Sequence, residues 1–553
     1  MVAVCALLSL GMLASVLPDG IYQNGDLWNF LGGVVEARNA LAEGQFPVRV
    51  APNQLDGSRY PVFQFYANLP YTVAGLILGE DGRNPYAAWK WTMFAALMVG
   101  GLSIHRLAWR WTRSTPAALS AVAVFLSAPY LLTDLYDRGA VAEAIAICLL
   151  PAAMLATWTC MTRRGLWRIA ICAVAWTALG LTHNITYLYG ATFIGLFILS
   201  FVRLRRRFVR RIGRLVMAGM LHLMLLAWYM APQFALMPDL AIATGLTSPA
   251  WSAVLAPLDI LFWPICKTPA SSTIPRLGLQ VGWLVLGGAV TGVAAVVLSR
   301  RRGRLRNSQA RVVSRLALLQ GLALRLIVLW VIAFFLVWSP VDVWAIIPKV
   351  FYFVQFTYRL LGFVLLFGAL LGALCVAAVL NGRRLVGVAV AVIVLAALTQ
   401  FAYQPNGEYH PRGAHRWIND RPQLGGLGDY LLRPQERPPL PEGMDFVSAE
   451  VFSESRHTTS LPVFEATVTR PTRVELPVLW YRDMLAATVD GRPSPYDVSG
   501  RYTTVDLQPG RHRVSVRFVG LEWANRVSAA GVVIVLALLG WKLGVPLRGR
   551  RRV

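Results

Sequence analysis

Apolar runs long enough to cross a bilayer recur about twelve times along this chain, and no other feature narrows its fold so far. They occupy 2–17, 86–105, 117–132, 140–161, 169–181, 186–202, 215–235, 279–298, 318–337, 360–380, 385–399 and 527–543. Hydrocarbon offers no partner to backbone N–H and C=O groups, so each run must satisfy its own as a helix. An α-helical polytopic membrane protein follows. At 553 residues, 56% hydrophobic and a mean hydropathy of +0.52, the chain is far more apolar than soluble proteins are.

The net charge of +25 fits this arrangement better than nucleic-acid binding. Arginine carries nearly all of it, in short blocks between apolar runs: 106–113, 163–168, 203–214, 300–315, 383–384 and 548–552. If the spans alternate from a cytoplasmic N-terminus, every block falls on the cytoplasmic side, where positive loops belong and can meet anionic headgroups. The count requires the short run 69–78 to be re-entrant or interfacial. The segments left on the far side are 18–85, 133–139, 182–185, 237–278, 339–359 and 402–526. They hold nearly all the carboxylates and most of the histidines, which favours chemistry at the outer membrane surface. A transporter would place ionisable groups at mid-membrane and often repeat itself, and no internal repeat is visible. The six cysteines lack metal-like spacing, and five sit in apolar runs, so neither a disulfide framework nor a zinc site is implied. The N-terminal run lacks the charged start of a signal peptide and reads as an uncleaved first span.

The first far-side loop is too long for a connector and is rich in acids and aromatics. Within it, 21–42 reads as one amphipathic helix with Leu27, Phe30, Leu31, Val34, Val35 and Leu41 as its apolar stripe. Asp26, next to Gly25, sits near the start of that helix, facing the positive end of its dipole. It serves either as a helix cap or as a catalytic carboxylate at the membrane surface. Near the C-terminus the period changes to two. About six alternating strands between 446 and 519, punctuated by DGRP, SG and QPGRH, predict a small antiparallel β-sandwich. The expected organisation is a transmembrane domain at 1–401 with its large outer loop 18–85, an outer-face β-sandwich domain at 402–526, and a last span with a basic cytoplasmic tail at 527–553.

Charged residues cluster at span ends on the far side. In TDLYDRGAVAE, Asp134, Asp137, Arg138 and Glu143 are costly near hydrocarbon. They either pin two helices through an Asp137–Arg138 or Glu143–Arg138 pair, or bind an anionic headgroup while a carboxylate handles a hydroxyl. His183, before Asn184, is either a polar anchor or a substrate ligand. Lys349 and Arg359 flank FYFVQFTYR, where aromatics surround Gln355. Arg359 either snorkels or joins its neighbours in stacking a sugar and clamping a phosphate.

These residues carry a resemblance. The loop with GD at its start and EGQFPVRV…YPVFQFYANLPY after it resembles the GT-C superfamily of membrane glycosyltransferases. It is most similar to a bacterial group labelled as the pyruvoyl-tetrahydropterin-synthase-related membrane domain. LYDRGAVAEAIAICLLPAAM and VQFTYRLLGF look like further signatures of that group, and VELPVLWYRDMLAATVDG and QPGRHRVSVRFVG resemble its C-terminal β domain. The resemblance implies an inner-membrane enzyme moving a sugar from a polyprenyl-phosphate donor to a glycan, lipid or protein acceptor on the outer, periplasmic face. It implies that a first-loop Asp is the general base for the acceptor or helps hold a divalent metal (Mg or Mn). Asp26 matches that position, with Asp137 as second acid. Arg138, Glu143, His183, Lys349, Gln355 and Arg359 are the expected substrate-binding residues. The alternative is a non-enzymatic membrane scaffold, or a polysaccharide or lipid export factor with a glycan-binding β domain.

Overall fold

A computed structural model describes residues 1–17, 20–23, 26–80, 82–201, 206–242, 258–263, 278–292, 310–380, 382–403, 405, 408–411, 418, 428–449 and 462–544. The basic tail beyond 544, most of 237–278 and the greater part of the block 300–315 lie outside them. Among the described residues, each of the twelve apolar runs falls mainly on helix. Among the described residues, eight helices are long and apolar enough to span a membrane: Pro85–Thr112, Thr115–Tyr136, Val141–Thr162, Arg210–Asp239, Ala317–Trp338, Thr357–Val379, Gly382–Ala402 and Glu522–Gly540. Val2–Met12, Trp167–Thr182, Asn184–Leu199 and Trp283–Gly292 are shorter apolar helices, as is Asn68–Leu78.

The chain divides into two compact units. The first joins residues 1–27, 90–220 and 248–412. In it Gln400 donates to the carbonyls of Leu8 (3.0 Å) and Leu126 (2.7 Å), tying three helices together. Side-chain amides serve this purpose where no water is at hand. The span Thr115–Tyr136 breaks in its middle. Ala128 is extended (φ −67°, ψ 129°) because Pro129 follows it, and the helix restarts as Pro129–Tyr136. That restart sets the direction of Tyr130 and Asp134. The helix Val141–Thr162 then opens with Glu143 in its first turn.

The expected helix over 21–42 begins later than its pattern suggests. Gly20–Gln23 is a strand, β1, paired antiparallel with β2, Glu408–Pro411, in the register Ile21 to His410 and Tyr22 to Tyr409. The helix itself is Leu27–Ala42, with Asp26 in the turn before it. Alternating aromatic and apolar residues suit either state over so few positions, and a partner almost four hundred residues away decides for strand.

The second unit joins 28–89, 221–247 and 413–553. Its strands are β3 (Asp445–Val447), β4 (Val463–Val468), β5 (Thr472–Leu479), β6 (Leu485–Val489), β7 (Arg492–Ser494), β8 (Asp497–Ser499), β9 (Tyr502–Leu507) and β10 (Gly510–Phe518). They form two four-stranded sheets, ordered β4-β10-β6-β7 and β3-β5-β9-β8. All pairs are antiparallel except β3 with β5. Val474, Leu476, Val505, Leu507, Val514 and Val516 fill the core, each the inward member of an alternating strand.

Candidate functional site

Tyr130, Asp134 and Arg138 follow one another at intervals of four, so one helical face and its continuation carry all three. All are buried. Arg138 Nη1 reaches Asp134 Oδ1, Tyr130 Oη at 3.0 Å and Glu143 Oε2 at 3.0 Å. The Tyr130 hydroxyl donates to the other oxygen of Glu143 at 2.6 Å. Arg359 approaches the same Glu143 Oε2 through Nε at 3.2 Å. One carboxylate therefore stands between two guanidinium groups, on the first turn of a helix whose positive dipole end favours it.

Aromatic faces complete the enclosure. The Arg138 guanidinium lies 5.0 Å from the Tyr358 ring centre, and that of Arg359 lies 5.1 Å from Phe356. Phe356 and Tyr358 stack at 5.3 Å with planes 8° apart. Gln355, held at φ +57° between two 3-10 turns, accepts from Arg359 Nη1 at 2.8 Å. A left-handed non-glycine residue costs free energy, and such positions concentrate where a side chain must be aimed. Among the described residues, neither arginine makes a bond through Nη2.

Asp26 joins this cluster through its backbone, whose N–H donates to the Arg138 carbonyl at 2.8 Å. Its side chain is on the surface. Even there, loss of water to its neighbours raises its pKa, while the charges of Arg138 and Arg359 pull it down and Glu143 pushes it up. A carboxylate less acidic than usual is a better proton acceptor.

Of the residues singled out from sequence, Asp26, Arg138, Glu143, Gln355 and Arg359 meet here. Asp137 is buried at the end of Pro129–Tyr136, its N–H bonded to the Thr133 carbonyl at 2.9 Å. The carboxylates that pair with Arg138 are Asp134 and Glu143. His183 caps Asn184–Leu199, its Nδ1 2.8 Å from Thr186 Oγ1 and accepting the Thr186 N–H at 3.4 Å. Burial lowers its pKa to about 3 and keeps it neutral. Lys349 is exposed at the start of a 3-10 turn. Sequence reasoning notes Asp134 as a costly charge without giving it a role, and it passes over Tyr130. The four-residue spacing of Tyr130, Asp134 and Arg138 is the signal that finds both.

Among the described residues, no three His, Cys, Asp or Glu side chains gather as a metal would require. Nor does the network suit a divalent cation. Both oxygens of Glu143 and one of Asp134 already face positive or hydroxyl donors, and two guanidiniums would repel a metal placed among them.

Residues 63–405 match the model of a family described as "6-pyruvoyl-tetrahydropterin synthase related domain; membrane protein". The chain belongs to this family. The matched stretch contains both arginines, Glu143 and Gln355, and begins after Asp26. No curated protein matches. Among solved structures, this family member is similar to the arabinofuranosyltransferase AftD from Mycobacteria, with TM-score 0.47 and 15% identity over 76% of this chain and 28% of AftD. It is also similar to the oligosaccharyltransferase of Archaeoglobus fulgidus, with TM-score 0.43 and 11% identity over 81% of this chain and 62% of that one. The chain thus spans little more than a quarter of AftD's length.

Proposed function

We propose that this protein transfers a sugar from a polyprenyl-phosphate donor to a hydroxyl acceptor (a glycan, lipid or protein) at the outer face of the inner membrane. The observation that carries this reading is the pair of guanidiniums, Arg138 and Arg359, held on Glu143 beside Asp26. In the step envisaged, Asp26 takes the proton from the acceptor hydroxyl. The acceptor oxygen bonds to the anomeric carbon, and the bond from that carbon to the phosphate oxygen breaks. The electron pair leaves with the polyprenyl phosphate, whose added charge the two arginines stabilise. Arginine suits this duty because its planar fork offers two donors to two phosphate oxygens.

Purified protein in liposomes, supplied with polyprenyl-phosphate sugars, tests the reading by release of polyprenyl phosphate. Asp26→Asn preserves size but cannot accept a proton, and turnover should fall by about two to four powers of ten with an unchanged melting temperature. Near-full activity of that variant returns Asp26 to the duty of a helix cap. Arg359→Lys should weaken donor use while leaving the fold intact.

A further inference from the structure

At the other end of the helix that carries Glu143 lies a second built cleft. Trp158 stands fifteen residues further along Val141–Thr162, roughly 22 Å away along the axis, beside the arginine-rich loops. Trp158, Phe201, Arg211 and Arg325 line a cleft of about 320 Å³ there. Arg325 also borders an apolar groove of about 410 Å³ made by Leu196, Phe197, Leu324, Val328, Leu329 and Ile332. Arg325 borders both, so one guanidinium stands between a cleft with two arginines and an apolar groove.

We propose that the cleft and the groove together bind one anionic phospholipid of the leaflet that faces the arginine-rich loops. The headgroup phosphate sits between Arg211 and Arg325, and an acyl chain lies along the groove. Arg325 is held in place. Its Nε and Nη2 donate to the Ser200 carbonyl at 3.3 and 3.1 Å, its Nη1 donates to Gly321 O at 2.7 Å, and its guanidinium rests 4.3 Å from the Phe201 ring. Trp158 packs against the same ring at 5.7 Å, where an indole suits the boundary between headgroup and tail. No carboxylate lines either part, for the sequence has no Asp or Glu between Glu143 and Asp239, nor between Asp259 and Asp342. Both parts of the cleft are built from those stretches. Along the groove, Leu324, Val328 and Ile332 follow at intervals of four and are 45%, 50% and 39% exposed. A soluble anion would fill the charged part alone, and a partner helix the apolar part alone. A phospholipid fills both, and basic clefts between spans suit such headgroups.

The test uses the full-length protein, delipidated in detergent and offered phosphatidylglycerol and phosphatidylcholine of identical acyl chains, with retention read by native mass spectrometry. Phosphatidylglycerol should be retained preferentially. Arg211→Gln should reduce that preference about fivefold, as removal of one arginine near a headgroup does. Arg211→Lys should restore it, which separates charge from misfolding, and Arg164→Gln, an exposed change on the same side, should leave it intact. Val328→Phe should lower retention of both lipids by filling the groove. Equal retention of the two lipids overturns the proposal. So does an Arg164→Gln loss matching that of Arg211→Gln, and so does undiminished retention in Val328→Phe.

Discussion

Glu143 decides how two arginines can share one small volume. Its Oε2 lies 3.0 Å from Arg138 and 3.2 Å from Arg359, and without its charge the guanidiniums would repel each other in a poorly screened setting. Glu143→Gln keeps the acceptor for Tyr130 but removes the charge. The fold should lose about 3–5 kcal/mol, the usual cost of breaking a buried pair from one side. A thermal melt in detergent reads it, and an unchanged melting temperature would show that the arginines hold themselves apart by other means. A second buried acid behaves differently. Glu36 accepts from the backbone and side-chain nitrogens of Asn53 at 2.8 and 2.7 Å, yet burial outweighs these bonds and raises its pKa to about 7. The folded value exceeds the ordinary 4.5, so its stability is complete below pH 4.5 and is lost as pH rises through 7. Well above pH 7 the difference amounts to about 3 kcal/mol. Glu36→Gln imitates the neutral acid, so the melting temperature of the variant should overtake that of the unchanged protein between pH 5 and pH 8. Parallel curves would mean that Glu36 is ionised in the fold throughout.

Among the elements, those fixed by local pattern were legible and those fixed by distant partners were not. Long apolar runs became helices because hydrocarbon leaves them no alternative, and alternation in the C-terminal part became the two sheets. The strand Gly20–Gln23 was hidden, because β2 lies across most of the sequence. Within the candidate site, charged residues at span ends announced themselves by their cost near lipid, whereas Tyr130 did not, since a tyrosine at a membrane interface is ordinary. Helix contact offers a sharper test. Trp283–Gly292 meets the helix Leu361–Val379, which follows Arg359 directly, through glycine: a Cβ on Gly288 would stand 2.6 Å from the Gly368 carbonyl oxygen. Backbone cannot yield as a flexible side chain can. Gly288→Val should destabilise by about 1–3 kcal/mol and disturb the placement of Arg359. Gly287→Val is the internal control, because a Cβ there meets nothing within 4 Å. Equal melting temperatures for the two variants would show that the helices can part without loss.

For the whole molecule, the arrangement across the membrane turns on a count. The sequence offers twelve apolar runs; if all of them cross, the even number leaves both termini on one side, and the same alternation gathers every arginine block on that side. The short helix Asn68–Leu78 is the weak point, since a thirteenth crossing would reverse every later span. At 11 residues it is about 16 Å long, well short of a hydrocarbon core of about 30 Å. It is also held by loop residues. Asn68 donates to the carbonyls of Val48 (2.5 Å) and Phe63 (3.0 Å), and a Cβ on Gly75 would stand 3.0 Å from the Arg38 nitrogen. A helix with one face spent on such contacts and polar groups at its start is placed to dip into the interface rather than to cross. On that count the β-sandwich is expected on the side opposite the arginine blocks, outside the cell. Ser494, at the end of β7, is a suitable reporter. In a variant freed of its native cysteines, Ser494→Cys should react with a membrane-impermeant maleimide in intact spheroplasts. Labelling that appears only after the inner membrane is permeabilised would place the sandwich in the cytoplasm and make Asn68–Leu78 a true crossing.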